Sequence, residues 1–420
     1  MGNARSSPII NSFTRLVMFS SLHRRCFSVL RSTHPRIRKT VPVTCGSGGS
    51  VDVDLYNIDE FSPSKFLVVH LPPLPESANG VKQLPEFLHD WPVASINYRW
   101  TTERLNAASQ EDDEFLNAAD WPVPMHDVAF AYQWIAEALM PPDNGRGSIY
   151  VYGSHLGAGL AMSLSLTESH PHKPFCVRGV ATYNGIYNWT MFLPGHKVLG
   201  AKSVRDAMRA MRRANGNARL DSLQQRLVSL FQEPTNLFDP FASPSLFFHN
   251  PGLPIPESFY ASAEFAGVVS AMKGEKSAVG AETSATPRRS YLVFPPRTST
   301  LKIPETMLLH DAPSRSPLHQ HQHSPETKSK AGSKVHDTRH TFMAQADEMA
   351  SLMRRSIGRV ELKERASWDE DVHFLAEEPE RRINVVDVGQ EREEELGLND
   401  AGQRVVSDWL GKLNSIRRWL

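Results

Sequence analysis

The sequence predicts an α/β protein with a mostly parallel central sheet of about eight strands flanked by helices. The chain has 420 residues, of which 40% are hydrophobic and 22% charged, an ordinary globular composition. Apolar stretches of strand length alternate along it with stretches of helical periodicity, as parallel strands joined by helical crossovers require. One junction, at residues 148–170, passes from strand to helix through a glycine-flanked turn.

The first elements in the chain are predicted to be a hairpin and two buried strands. Thr40–Cys45 and Val51–Ile58 flank a Gly-Ser-Gly-Gly turn and should pair as antiparallel strands. The apolar stretches Lys65–Leu71 and Val93–Tyr98 are typical of strands in the interior of a sheet. A helix is predicted over Met125–Met140, because its apolar residues recur on one helical face.

The second half of the chain contains one more clear strand and several insertions. Val177–Tyr183 has the composition of a strand, and the long segment Asn184–Leu253 after it is expected to form a helical cap. Residues 261–300 and 312–339 are rich in Ser, Pro, Gly, Lys and Thr and are expected to be disordered loops. We therefore predict a single domain over residues 40–420.

Residues 1–39 have the composition of a mitochondrial transit peptide. No Asp or Glu occurs before Asp52, arginine and serine are frequent, and Arg25–Ser28 resembles a matrix-processing site. We expect this segment to be disordered and to direct import into the matrix. Two alternatives are a basic tail on a cytoplasmic protein and myristoylation, since Met1–Ser6 fits that pattern.

Overall charge and cysteine content exclude several classes of function. The chain has 46 basic and 46 acidic residues, so its net charge gives no reason to expect nucleic-acid binding. Cys26, Cys45 and Cys176 are scattered, with neither metal-site spacing nor a disulfide framework. No apolar run is long enough to span a membrane. We accordingly expect no cofactor, no bound metal and no membrane span; oligomeric state is left open.

The turn at Gly153–Gly157 has the context of a nucleophile elbow, whose sequence is G-x-S-x-G. Both glycines are present, but His155 occupies the position of the serine. Histidine tolerates positive φ, so it can adopt the elbow conformation, but an imidazole is not a hydroxyl nucleophile. Ser154 is one residue away and should point elsewhere. A strand-to-helix turn without chemistry is the alternative interpretation.

Further segments of the chain resemble the α/β-hydrolase family, in the esterase/lipase group often labelled fold-3. By this resemblance the chain would be a fungal-type member with a degenerate elbow. These segments occur in the order that the family has them. The matching segments are His70–Pro73, Asn97–Arg99, Trp121–Val128, Asp239–Pro244, Pro304–His310, Thr341–Ser356 and Val360–Glu364.

This resemblance implies a catalytic triad whose members follow in the order nucleophile, acid, histidine. Val360–Glu364 would be the last strand, and His373 would then be the catalytic histidine. Asp311 is the candidate acid, although it ends the seventh strand earlier than the family acid does and could be a strand-end turn residue. Asp and Glu residues surround His373 in the sequence, which favours imidazolium and makes a poorer base.

The resemblance also implies an oxyanion hole formed by backbone N–H groups. One donor would be the N–H of Leu156 in the elbow, and the others would come from the loop that begins at Leu71. That loop continues with Pro72 and Pro73, which have no N–H to donate. The loss of one donor typically lowers the rate by a factor on the order of 100 or more.

Three hypotheses follow. The first is a catalytically degenerate hydrolase fold, a pseudoenzyme that binds a small acyl or ester-like ligand or serves as a scaffold. The second is an active carboxylic ester hydrolase that uses Ser154 or an unidentified serine. The third is chemistry in which His155 and His373 act together, as metal ligands or as an acid/base pair.

Overall fold

The structure is a computed structural model of the 420-residue chain. It describes residues 38–58, 66–73, 84–100, 120–141, 146–193, 218–253, 290–312, 340–367, 376–390 and 397–417. All of these residues belong to one unit, which spans Ile37–Leu420.

An eight-stranded sheet forms the centre of the described structure, and a separate two-stranded ribbon lies outside it. The strands are β1 Arg38–Thr44, β2 Ser50–Tyr56, β3 Leu67–Leu71, β4 Val93–Ile96, β5 Gly147–Ser154, β6 Phe175–Tyr183, β7 His249–Asn250, β8 Ser290–Tyr291, β9 Glu305–Ala312 and β10 Ile383–Gln390.

The order of the sheet is β1-β2-β4-β3-β5-β6-β9-β10. Only β2 runs antiparallel to its neighbours, and all other pairs are parallel. This order, with the elbow after β5, is that of the α/β-hydrolase fold. The predicted fold class and the predicted hairpin of β1 and β2 are therefore confirmed.

Helices and short helical turns connect the strands. The helices are α1 Val123–Ala138, α2 Leu156–Glu168, α3 Ala218–Gln225, α4 Leu227–Phe231, α5 Phe342–Ser356, α6 Lys363–Arg365, α7 Glu378–Arg382 and α8 Asp400–Arg417. Short 3₁₀ turns lie at Gly46–Gly48, Glu86–Leu88, Trp189–Phe192, Pro234–Phe238 and Pro244–Phe247.

Two hydrophobic cores cover the two faces of the sheet. Side chains of α1, α2 and α5 pack against one face, together with Ile149 and Val151 of β5. Tyr150 and Tyr152 point to the other face, where α8 packs. Both faces are buried, and this explains why the central strands are almost uniformly apolar in sequence.

The structure corrects the position of the last strand. Val360–Glu364 is not a strand, because Ile357–Leu362 forms a π-helical turn that continues α5 into α6. The last strand in the described part of the chain is β10, which pairs in parallel with β9. The resemblance placed a strand at Val360–Glu364, but in the structure Glu361 of this helical turn pairs with the Arg382 guanidinium at 2.6 Å.

Two segment boundaries also differ from the prediction. The structure describes residues 290–300, which the sequence placed in a disordered loop. Phe294 is buried there and packs on Phe247 and Phe248, so this part of the segment is anchored by an aromatic residue. β1 begins at Arg38, two residues inside the predicted transit segment, whose remaining residues lie outside the described ranges.

Candidate functional site

His155 occupies the apex of the turn between β5 and α2, as the sequence predicts. Its φ of 51° and ψ of −115° are values that residues other than glycine rarely adopt. The backbone N–H of His155 donates to the carbonyl of Tyr183 at 2.8 Å, and its own carbonyl accepts from the N–H of Ala158. The turn is thus held from β6 on one side and from α2 on the other.

The two glycines of the elbow are required by close approaches of the backbone. A Cβ at Gly153 would lie 2.5 Å from the carbonyl oxygen of Gly157 and 2.8 Å from Cβ of Ala161. A Cβ at Gly157 would overlap the carbonyl oxygens of Leu71 and Pro72. Only glycine lets β5, α2 and the loop after β3 meet at this distance.

Ser154 does not share the apex with His155. It is the last residue of β5 and is buried, with 4% of its surface exposed. Because side chains alternate along a strand, Ser154 continues the row of Tyr150 and Tyr152, which faces α8. Gly153, by contrast, faces α2.

Asp311 is buried near the end of β9 and is bound by two residues from the end of β6. The Tyr183 hydroxyl donates to its carboxylate at 2.8 and 3.0 Å, and the Asn184 side-chain amide donates at 2.7 Å. The Asn184 side-chain oxygen in turn accepts from the backbone N–H of Asp311 at 3.0 Å. Asp311 therefore joins the ends of two adjacent strands.

The environment of Asp311 shifts its protonation equilibrium toward the neutral form. Burial raises the pKa of Asp311, while the hydrogen bonds from Asn184 and Tyr183 and the charge of Arg219 lower it, so the net direction is upward. Burial also raises the pKa of Tyr183, and the carboxylate beside it adds to this effect. The Tyr183 phenol accordingly stays protonated and acts as a donor.

Aromatic contacts surround the His155 imidazole. Its ring lies 5.5 Å from the ring of Tyr183 and 6.1 Å from that of Phe342, both edge-to-face. Tyr183 thus contacts His155 through its ring and Asp311 through its hydroxyl. The structure brings His155 and Asp311 to the same region, with a tyrosine as the link between them.

The loop after β3 presents carbonyl oxygens to the elbow. Those of Leu71 and Pro72 lie over Gly157, and the Pro72 carbonyl accepts from the Tyr98 hydroxyl at 2.7 Å. Pro72 has no N–H. Leu156 is the first residue of α2, so its N–H has no acceptor within the helix and could still serve as an oxyanion donor.

The position of the last strand removes the alignment on which His373 rested. His373 lies outside the described residues, and it precedes β10 in the chain instead of following it. The resemblance places the catalytic histidine after the last strand. Residues 391–420, which follow β10, contain no histidine.

A buried polar network joins the loop after β6 to α5. The Gln345 side-chain oxygen accepts from the backbone N–H groups of Tyr187 and Asn188, each at 2.9 Å. Its amide nitrogen donates to the Asn188 carbonyl and lies 2.9 Å from Nε2 of His340, which must therefore accept. Asn188 also donates to Glu348 at 2.7 Å.

Sequence reasoning missed three residues around the apex. Tyr183 and Asn184 were predicted only as a strand end and the start of the cap, and Phe342 only as part of a helix. The sequence could have indicated Tyr183 and Asn184, because residues at the carboxyl ends of adjacent parallel strands meet at one edge of the sheet. Phe342 gave no such signal, because its contact with His155 depends on how α5 packs.

Within the described ranges, no group of three or more His, Cys, Asp or Glu side chains is arranged to hold a metal ion. Among the helices in those same stretches, none combines the length and the apolar character that crossing a bilayer demands.

Comparisons with known proteins give only remote structural likeness. No protein-family model matches the chain, and no curated protein matches it. A carboxyl esterase from the fungus Tuber melanosporum is 13% identical, with a TM-score of 0.44, over 93% of this chain and 89% of that one. An esterase from Pyrobaculum calidifontis is 13% identical, with a TM-score of 0.44, over 90% and 86%.

A fungal esterase from Rhizomucor miehei is 9% identical, with a TM-score of 0.42, over 92% of this chain and 86% of that one. Likeness at this level does not establish an activity. The fold assignment rests instead on the strand order and on the elbow of this chain.

Proposed function

We propose that this protein binds a small acyl or ester-like ligand at the carboxyl edge of its sheet and does not hydrolyse it. The main support is the imidazole of His155 at the elbow apex, where hydrolysis requires an activated hydroxyl. Open α/β sheets bind ligands at this edge, so the loss of a nucleophile does not remove the binding position.

Two further features support the loss of catalysis. The Asp311 carboxylate is bound by Tyr183 and Asn184, whereas a triad acid orients a histidine. The Leu71–Pro72 loop offers carbonyl oxygens near the elbow, and an acceptor there would repel a developing oxyanion. Each feature concerns a different part of the catalytic apparatus, and together they favour a degenerate site.

Ester hydrolysis by Ser154 is the competing function, because Ser154 is adjacent to the apex. Its buried side chain on the α8 side of β5 argues against attack at the carboxyl edge. A serine elsewhere in the chain would need a histidine base, and residues 391–420 contain none.

Binding and turnover can be separated in one experiment. Methyl butyrate is mixed with the purified chain and followed by ligand-observed NMR, in which saturation transfer reports binding and a methanol signal reports hydrolysis. We expect saturation transfer without methanol, and loss of the transfer in His155→Trp, which fills the apex. Methanol release that depends on the protein contradicts the proposal, and so does transfer that His155→Trp leaves unchanged.

We also propose import into mitochondria, on the basis of the acid-free, arginine-rich residues 1–51. A C-terminally tagged chain should co-localise with a matrix marker, and substitution of Arg15, Arg24 and Arg25 by glutamate should abolish import. A diffuse cytosolic signal for the unsubstituted chain contradicts this proposal.

A further inference from the structure

A cavity of about 570 Å³ lies between the β1–β2 turn and α1 and shares no residue with the elbow. The turn residues Gly46–Gly48 form one wall, and all three are exposed. His126 and Phe130 of α1 form the opposite wall, and both are exposed. Arg99, Asp127 and Cys45 form the floor.

The floor of this cavity presents a fixed guanidinium edge. Arg99 donates to the buried Asp127 carboxylate through Nε at 2.9 Å and through Nη2 at 2.6 Å. Its third nitrogen, Nη1, makes no hydrogen bond with the described residues and faces the turn, where a Cβ on Gly49 would lie 3.1 Å from it. The ion pair therefore holds Nη1 in place as a donor toward the cavity.

Among the described residues that line the cavity, no free carboxylate competes for that donor. Asp127 is 0% exposed and is occupied by Arg99, which also donates through its backbone N–H at 2.9 Å. Burial and the adjacent Asp127 raise the pKa of the Cys45 thiol to about 11, so the thiol is protonated and neutral. The polar groups that the described residues present to the cavity include the Arg99 edge, the His126 imidazole, the Ser47 hydroxyl and the Gln133 amide.

We propose that this cavity binds a small organic phosphate, with its phosphate on the Arg99 and His126 side and an apolar group against Phe130. Phosphate oxygens accept hydrogen bonds from several directions, which suits donors on the floor and on both walls. Phe130 is 40% exposed and supplies the apolar surface that a purely inorganic anion would not use. The Gly-Ser-Gly-Gly turn leaves room for this ligand because three of its residues have no side chain.

Two substitutions at Gly48, to aspartate and to asparagine, give variants that differ from each other only in one charge. Nothing lies within 4 Å of a Cβ built there, so aspartate and asparagine both fit without strain. Phenyl phosphate is titrated into the full chain by calorimetry, and into Gly48→Asp, Gly48→Asn and Phe130→Ala. Unchanged melting temperatures establish that the variants fold.

We expect Gly48→Asp to weaken phenyl phosphate binding about tenfold or more, because it places a carboxylate beside the phosphate, and Gly48→Asn to change it less than about twofold. Phe130→Ala should reduce the preference for phenyl phosphate over inorganic phosphate. Absence of binding to the unsubstituted chain at millimolar ligand overturns the proposal, and so do equal affinities of the Asp and Asn variants. Equal affinity of the unsubstituted chain for phenyl phosphate and inorganic phosphate overturns the assignment of an organic ligand.

Discussion

The Tyr183 hydroxyl donates to both carboxylate oxygens of Asp311, at 2.8 and 3.0 Å, across the ends of two adjacent strands. A triad acid in this position would accept from a histidine instead. The tyrosine, with Asn184, thus converts the candidate acid into a structural tie between β6 and β9.

Asp311→Asn tests this structural role through pH. The pKa of Asp311 is raised in the folded protein, mainly by burial, so the stability that its neutral form provides is full at acid pH and is lost as pH rises through the folded-state pKa. Asparagine has no charge to bury. We expect Asp311→Asn to melt at a higher temperature than wild type at pH 7.5, with the difference shrinking toward pH 4.

Thermal unfolding by circular dichroism at several pH values measures this difference. Asp408→Asn is the matched control, because it removes the same charge from an exposed position on α8. A lower melting temperature for Asp311→Asn at pH 7.5 would mean that the carboxylate form is needed in the folded state.

Gly157→Ala tests the contact between the loop after β3 and α2. The new methyl group would overlap the carbonyl oxygens of Leu71 and Pro72, which belong to the backbone and cannot rotate away. We expect a loss of about 1–3 kcal/mol in the free energy of unfolding, measured with urea. Gly411→Ala in α8 meets nothing within 4 Å and should be stabilising by up to about 1 kcal/mol. Equal effects of the two substitutions would contradict this geometry.

Gln345→Leu and Gln345→Glu test the buried network between α5 and the loop after β6. Leucine leaves the N–H groups of Tyr187 and Asn188 without an acceptor, at a cost of about 1–3 kcal/mol for each buried group. Glutamate keeps that acceptor, but its second oxygen replaces the NH2 group that donates to the Asn188 carbonyl. We therefore expect both variants to lower the melting temperature, measured by circular dichroism. An unchanged melting temperature in both would contradict the assigned network.

His155→Ser tests whether the apex residue is the only fault in the site. The substitution supplies a hydroxyl but neither a histidine base after β10 nor donors in the Leu71–Pro72 loop. Residues of a triad act as a unit, so repair of one part recovers little activity. We expect no increase in p-nitrophenyl butyrate hydrolysis over wild type, and an increase of a hundredfold or more would contradict this account of the site.

The sequence was sufficient for the fold because local and global signals agreed over most of the chain. The strand before Gly153 is apolar and β-branched, the helix after it is periodic, and both occur as predicted. The error at Val360–Glu364 arose because the strand was placed by its order in the resemblance, and so short a stretch does not distinguish a strand from a helical turn. In the structure Glu361 pairs with Arg382, a contact that spacing in the sequence does not reveal.

The candidate site was only partly predictable from sequence. The motif located His155, but the partners of Asp311 come from a neighbouring strand whose register had to be known. The carbonyl orientation of Leu71 and Pro72 follows from their contact with Gly157 and Tyr98, which is likewise tertiary.

Hydrolysis of p-nitrophenyl butyrate by the purified wild-type chain, with Ser154→Ala in parallel, tests the central claim most directly. With His155 at the apex we predict no turnover above the rate without protein, and no difference between the two chains. Turnover at an ordinary enzymatic rate of about 1 s⁻¹ or more, abolished by Ser154→Ala, would contradict the account and identify Ser154 as the nucleophile.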